Sequence, residues 1–209
     1  MNRHIARFLD LRCAGDVLNA VAPLNNAAKE ITESMAMLRR LRPFFLDSPM
    51  QFALVDACAG NALTAALAAH VLPITRVVAV DKKERHRQGY RRIRRFNYVN
   101  HALGCCAVDM AVIHPYTQGA HYVLSATHPC KTARYLVELY QADPACLGLV
   151  IMACCCGNRP TAVPQDVIKR IGKYQAWALS LAIAAGGTYY VDRHCLSPCN
   201  AIIVARKDA

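Results

Sequence analysis

Short runs of consecutive apolar residues alternate along the chain with longer stretches in which apolar positions recur every three or four residues. FALVDA (52–57) and RVVAVD (76–81) are runs of the first kind, and each ends at an acid. Between them LTAALAAHVL (63–72) reads as a helix closed by Pro73. The segment after the second run has His86, Tyr90, Ile93 and Asn97 on one helical face, with Arg91, Arg92, Arg94 and Arg95 mostly turned away. CCAVD (105–109) then predicts a third strand, HYVLSAT (121–127) a fourth and LGLVIMACC (147–155) a fifth. KTARYLVELYQ (131–141) and residues 164–185 predict helices, the second stopped by Gly186-Gly187. TYYVDRHC (188–195) and NAIIVARK (200–207) are joined by a loop too short for a helical crossover, which makes them an antiparallel pair.

Strands that are apolar on both faces and separated by helices predict a mostly parallel sheet covered on two sides. The expected fold is α/β: a three-layer doubly wound sheet of five parallel strands plus a C-terminal antiparallel pair. Residues 1–50 read as a helical extension packed on that core, with NNAAKEITESMAMLRRLRPFF leading into the first strand, and 51–209 as the main domain.

Composition narrows the picture. At 55% hydrophobic and 19% charged, the 209 residues are too apolar for disorder. The longest stretch without Asp, Glu, Lys or Arg, residues 57–75, contains Gly60, Asn61, His70 and Pro73, which argues against a bilayer span. No secretory signal is visible in MNRHIARFLDLR, so a cytoplasmic setting is expected. There the 11 cysteines stay reduced, and an odd number cannot pair fully within one chain. Their spacings form no C-x-x-C pairs, so no metal is expected. Of the 25 Lys+Arg, eight lie in residues 82–95 beside one Glu, a concentrated candidate for contact with a polyanion.

In open α/β sheets the ligand sits beyond the carboxyl ends of the strands. After the first strand come Asp56-Ala57-Cys58-Ala59-Gly60-Asn61-Ala62, whose small residues let a ligand approach the backbone. The second strand ends at Asp81, 25 positions after Asp56, where an acid can accept hydrogen bonds from both hydroxyls of a ribose. The plainer reading is a turn of small residues and a helix-capping aspartate.

VDACAGNALTAALAAHVLP followed by RVVAVD resembles the first two motifs of the class I S-adenosylmethionine-dependent methyltransferases. The five-plus-two strand pattern matches that family's sheet over roughly residues 50–207. A nicotinamide dehydrogenase fits less well, because its pyrophosphate needs glycine more strictly and the final antiparallel pair is left unexplained. The resemblance implies S-adenosylmethionine as cofactor, with its methionine part on the loop of Asp56, Cys58, Gly60, Asn61 and Ala62 and its ribose on Asp81. Cys58 and Ala62 stand where the family usually has glycine, and Gly60 keeps the family's residue. Asp109, at the end of the predicted third strand, matches the contact to the adenine amino group; its alternative is a helix or turn cap.

ATHPCKTARYLVEL and LVIMACCCGN further resemble a branch that contains tRNA 2′-O-methyltransferases. Two mechanisms fit the residues at those strand ends. His128 can orient or deprotonate a substrate atom as it attacks the methyl group. Alternatively, Cys130 acts as a thiolate on a pyrimidine ring while Cys154, first of the group Cys154-Cys155-Cys156, assists release. Packing is the third possibility. Arg91, Arg92, Arg94 and Arg95 then become candidate phosphate contacts for RNA, with Tyr90 or Tyr98 available for stacking if exposed. A small-molecule or protein methyltransferase and a non-catalytic RNA-binding protein with a decayed cofactor pocket are the rival readings.

Overall fold

Seven strands form one sheet: β1 (Ala53–Ala57), β2 (Val77–Asp81), β3 (Phe96–Asn100), β4 (Tyr122–Thr127), β5 (Cys146–Met152), β6 (Thr188–Val191) and β7 (Ala201–Arg206). Their order is β3-β2-β1-β4-β5-β7-β6. The first five run parallel, and β7 pairs antiparallel with both β5 and β6. A computed structural model describes residues 1–46, 52–83, 88–154 and 162–207. The count of five parallel strands and a closing antiparallel pair is the one that the sequence pattern predicts, and four of the five parallel strands lie where it places them. The chain reverses its direction of winding between β1 and β4, which places a crevice at the carboxyl ends of those strands.

Helices α1 (Arg3–Leu9), α2 (Ala14–Val21), α3 (Ala27–Leu46) and α4 (Leu63–Val71) cover one face. Helices α5 (Cys106–Thr117), α6 (Ala133–Ala142) and α8 (Lys173–Ala185) cover the other, preceded in the chain by α7 (Gln165–Ile171). β1 and β5 are buried at every position, the consequence of having helices on both sides. The N-terminal helices share their apolar cluster with the sheet: Phe8, Met37, Leu41 and Phe44 pack with Leu54, Val123 and Val150. Gly148 of β5 makes room for this, since a Cβ there would sit 2.5 Å from the Phe44 ring.

Polar contacts fix the two ends of the chain together. Asn2 caps α1 by accepting from the His4 and Ile5 N–H groups, and its amide donates to the His194 carbonyl. The His4 imidazole lies 3.0 Å from Asp192 just after β6, and both side chains are buried. Burial alone would raise the Asp192 pKa, but its bonds to His4 and to the His194 N–H hold it down at about 2. We expect His4→Ala to cost about 2–3 kcal/mol in a urea unfolding experiment, because it leaves a buried carboxylate short of a partner.

Three elements differ from the sequence expectation. The third strand is FNYVN (96–100), and CCAVD opens α5 instead. Asp109 therefore stands in the first turn of a helix, where its carboxylate accepts from the N–H groups of Gly104 and Cys105. The basic segment is not a helix across its length. Among its described residues only Gln88–Arg92 form a short 3-10 turn, and the chain extends into β3 soon afterwards. Residues 84–87, and with them His86, lie outside the described residues. The burial expected there holds nonetheless, with Tyr90 and Ile93 inside and Arg91, Arg92, Arg94 and Arg95 outside. The predicted long helix over 164–185 is two helices, α7 and α8, divided at Gly172, whose φ of 84° with ψ of 157° no helix accommodates.

Candidate active site

β1 ends in a loop that leaves the sheet plane at Cys58 and enters α4 at Leu63. Cys58, Gly60 and Ala62 each have φ of 54°. The left-handed conformation costs a non-glycine residue roughly 1–2 kcal/mol. The two positions at which glycine is replaced thus keep the backbone path that glycine would allow, and their small side chains limit the crowding. Three side chains brace this path. Asp81 accepts from the Gly60 N–H (2.9 Å) and from the Lys83 N–H (2.8 Å) with its two oxygens. Tyr98 donates to the Gly60 carbonyl and Tyr90 to the Asn61 carbonyl, and the two rings stack 5.3 Å apart. Tyr90 is buried, so it braces the loop and is not available to stack on a nucleic-acid base.

Asp56 is almost wholly buried and accepts a 2.7 Å bond from Ser125 of β4. Burial, with a smaller contribution from the negative charge of Asp81, lifts its pKa to about 7 against the pull of the Ser125 bond. Asp56 is therefore close to half-protonated near neutral pH.

His128 follows β4 with φ of 54°, and its backbone N–H donates to the Met152 carbonyl of β5. Its Nε2 lies 2.6 Å from Oε1 of Glu33, a buried residue of α3 that also pairs with Lys29 at 3.1 Å. Burial works against ionisation of Glu33, but the bonds and charges of His128 and Lys29 outweigh it and lower its pKa. An ionised Glu33 fixes the hydrogen on Nε2, which leaves Nδ1 as an acceptor. Nδ1 is buried and has no hydrogen-bond partner among the described residues.

Two cavities meet at Cys58 and His128. The larger, about 660 Å³, is walled by Asp81 and Lys82 at the end of β2, His101 to Leu103 after β3, and Pro129 to Thr132 after β4. The smaller, about 210 Å³, takes Glu30, Glu33 and Ser34 from α3, Asp56 from β1, Gly60 and Asn61 from the loop, and Thr64 and Thr127. The first volume lies in the usual range for a site that encloses a small organic molecule. The second presents three carboxyl groups, an environment for positive charge. Together the cavities suit a nucleoside joined to a cationic amino-acid chain. Asp81 would hold the ribose, the Cys58–Ala62 backbone the junction, and Glu30, Glu33 and Asp56 the cationic end.

Of the residues singled out from the sequence, Asp56, Cys58, Gly60, Asn61, Asp81, His128 and Cys130 line these cavities. Ala62 is buried behind the loop. Cys58 is held as a neutral thiol, since burial pushes its pKa up to about 11 despite a hydrogen bond from Thr132. Cys130 is exposed. Cys154 is buried after β5 and lines neither cavity, and Cys155 and Cys156 lie outside the described residues. Asp109 also lines neither cavity. It fastens the wall instead, accepting from Tyr135 and lying 2.5 Å from Nε2 of His101. Arg91, Arg92, Arg94 and Arg95 are exposed and line neither cavity; Arg92 lies in a cleft beside α2, and Arg95 donates to the Ile74 carbonyl.

Sequence reasoning passed over Glu30 and Glu33, which lie three apart on α3 and on one helical face. It also passed over Ser125, although a serine within the apolar HYVLSAT run was a visible signal of a buried hydrogen bond. Lys82 and Lys131, which line the larger cavity, are present in the sequence without any pattern to separate them from their neighbours.

No protein-family model and no curated protein sequence matches the chain. Solved structures do. The chain is similar to 23S rRNA methyltransferase ErmE at 15% identity and a TM-score of 0.48, over 84% of this chain and 67% of that one. It is similar to an O-methyltransferase family protein from Burkholderia thailandensis at 12% identity and a TM-score of 0.49, over 100% of this chain but 64% of that one. A third is a precorrin-6y C5,15-methyltransferase from Geobacter metallireducens GS-15, with 14% identity, a TM-score of 0.47 and coverage of 85% and 88%.

Proposed function

We propose that the protein is a class I S-adenosylmethionine-dependent methyltransferase that modifies RNA. One observation carries the reading: the cavity at Asp81 and the carboxyl-lined cleft meet beside His128, beyond the carboxyl ends of β1, β2 and β4. When bound, S-adenosylmethionine supplies an activated methyl group on a sulfonium. Everything else falls to the chain. Asp81 accepts hydrogen bonds from ribose while bracing the Gly60 N–H, so that binding and loop shape depend on one carboxylate. Glu33, itself paired with Lys29, holds the ring of His128 at the junction of the two cavities, where a small turn of the ring uncovers Nδ1 for the hydrogen of the attacking substrate atom. Positioning a nucleophile in line with the methyl group supplies the larger part of the rate. RNA as substrate is supported by the excess of basic residues, which gives a formal net charge of +11, and by the exposed arginines after β2.

The test is isothermal calorimetry of the folded protein with S-adenosylhomocysteine, beside a known methyltransferase. Absence of binding removes the proposal.

Asp56 adds a pH signature. Its folded pKa of about 7 exceeds that of an unfolded aspartate, about 3.9, so the folded state binds the extra proton between these values. Stability contributed by this group accordingly falls as pH rises from about 4 through about 7. Ligand affinity moves the other way. We expect affinity for S-adenosylmethionine and for its neutral-sulfur product alike to rise about threefold between pH 6 and pH 8, as Asp56 becomes an anion facing the cationic end of the amino-acid chain. Asp56→Asn should remove that pH dependence.

A further inference from the structure

A second sizeable cavity, about 580 Å³, opens between α1, α3 and the end of α4. Its floor is apolar, made by Met35, Leu38 and Leu72. Its rim carries the exposed guanidinium groups of Arg7, Arg39 and Arg42, and Asp10 is the one carboxylate among the lining residues. Among the described residues none of the three arginines forms an ion pair. Three unpaired guanidiniums around a hydrophobic floor make a specific chemical demand. The floor takes a flat apolar ring, and the planar guanidinium forks take phosphate oxygens two at a time. A nucleotide combines both. A lipid headgroup layer is flat and would not reach the base of a concave groove, and an acidic peptide carries the charge without the ring.

Resting on the RNA reading above, we propose that this groove holds a nucleotide segment of the RNA substrate away from the position that is modified. Placement in the fold supports an extended strand rather than a free nucleotide. Arg42 stands nine residues beyond Glu33 on α3, about 13 Å along the helix from the catalytic cleft. On the other side, the last turn of α4 carries His70, which lines a small cleft together with Arg92 of the basic segment, while the next two residues line the groove. One helix end thus separates the groove from the arginines after β2, and a single backbone can run across both.

The experiment is fluorescence anisotropy with an end-labelled, unmodified tRNA transcript, comparing wild type with the triple variant Arg7→Ala, Arg39→Ala, Arg42→Ala. The side chains are exposed, and calorimetry with S-adenosylhomocysteine reports whether the variant keeps its fold and cofactor site. We expect RNA affinity to fall about 30-fold at 100 mM salt. The slope of log affinity against log salt should become about two units shallower, as fitting three lost phosphate contacts. Cofactor affinity should be unchanged. Wild-type RNA affinity and slope in the triple variant overturn the groove assignment while the RNA reading stands. No transcript binding by the folded wild type overturns both. Adenosine monophosphate or polyglutamate binding more tightly than the transcript, and lost in the variant, overturns the RNA assignment of the groove.

Discussion

Asp81→Ala is expected to weaken binding of S-adenosylhomocysteine at least about 100-fold in calorimetry, while thermal unfolding shows a folded protein. The carboxylate does two things at once. It accepts from the Gly60 and Lys83 N–H groups, and it faces the larger cavity. Hydrogen bonds to a charged acceptor contribute about 1.5–3 kcal/mol each. Losing two to the ribose costs about 3 kcal/mol or more, which corresponds to a factor of roughly 150. Loss of the Gly60 brace adds to this, because the loop holds Cys58, Gly60 and Ala62 in a backbone conformation that relaxes once its acceptor is gone. Asp81→Asn keeps one acceptor oxygen for the Gly60 N–H and should bind at an intermediate level. If Asp81→Ala binds like the wild type, the ligand is elsewhere and the site assignment fails.

The second large effect concerns His128. His128→Ala is expected to slow methyl transfer to RNA by two to three orders of magnitude in a single-turnover assay, within the range for a general base. S-adenosylhomocysteine affinity should change less than about fivefold. Glu33→Gln removes the anion that fixes the hydrogen on Nε2, and the amide can then present either its oxygen or its nitrogen to the ring. Its rate should fall by an order of magnitude or more, with an altered pH profile, because the tautomer with a free Nδ1 is no longer enforced. A merely structural pairing would lower stability without moving the profile. Cys130→Ala separates the two mechanisms. The thiolate route has Cys154 assist release at the pocket of Cys130, yet Cys154 is buried and lines neither cavity, and the other thiol there, Cys58, is held neutral by burial. The expected loss is therefore less than tenfold. Complete loss of activity in Cys130→Ala, with a protein–RNA adduct trapped in Cys154→Ala, would falsify the histidine mechanism.

The parallel core was legible because its strands obey a simple rule. β1, β4 and β5 lie between helices, so their sequences are apolar almost throughout, and the acids at positions 56 and 81 stand out against that background. β3 obeys no such rule. It is an edge strand with most of its side chains half-exposed, and FNYVN carries only a faint alternation. CCAVD, with its run of apolar residues, looked more like a strand than the true one. Misplacing β3 displaced Asp109 with it, from a supposed adenine contact to a helix start that fastens His101. The arginines after β2 kept their exposure but lost their helix, because burial of Tyr90 and Ile93 against α2 needs only a turn. Glu33 was hidden for a different reason. It lies 95 residues from His128, and nothing in NNAAKEITES distinguishes an acid that will be buried from one that caps or solvates a helix. Local pattern can place a strand end, but it cannot say which distant helix will meet it.

The bare backbone of Gly148 ties the history of the N-terminal helices to that of the sheet. Phe44 occupies the gap, so neither position can change freely without the other: a larger residue at 148 would collide with the ring, and a smaller one at 44 would leave an empty space beside β5. Residues 1–46 therefore cannot be gained or shed as an independent module. A chain without them would expose Leu54, Val123 and Val150 to water, and would lose Glu33 from the cleft in the same step. Substitutions on this helix meet two demands at once, packing on its inner side and the Glu33–His128 contact near its leading end.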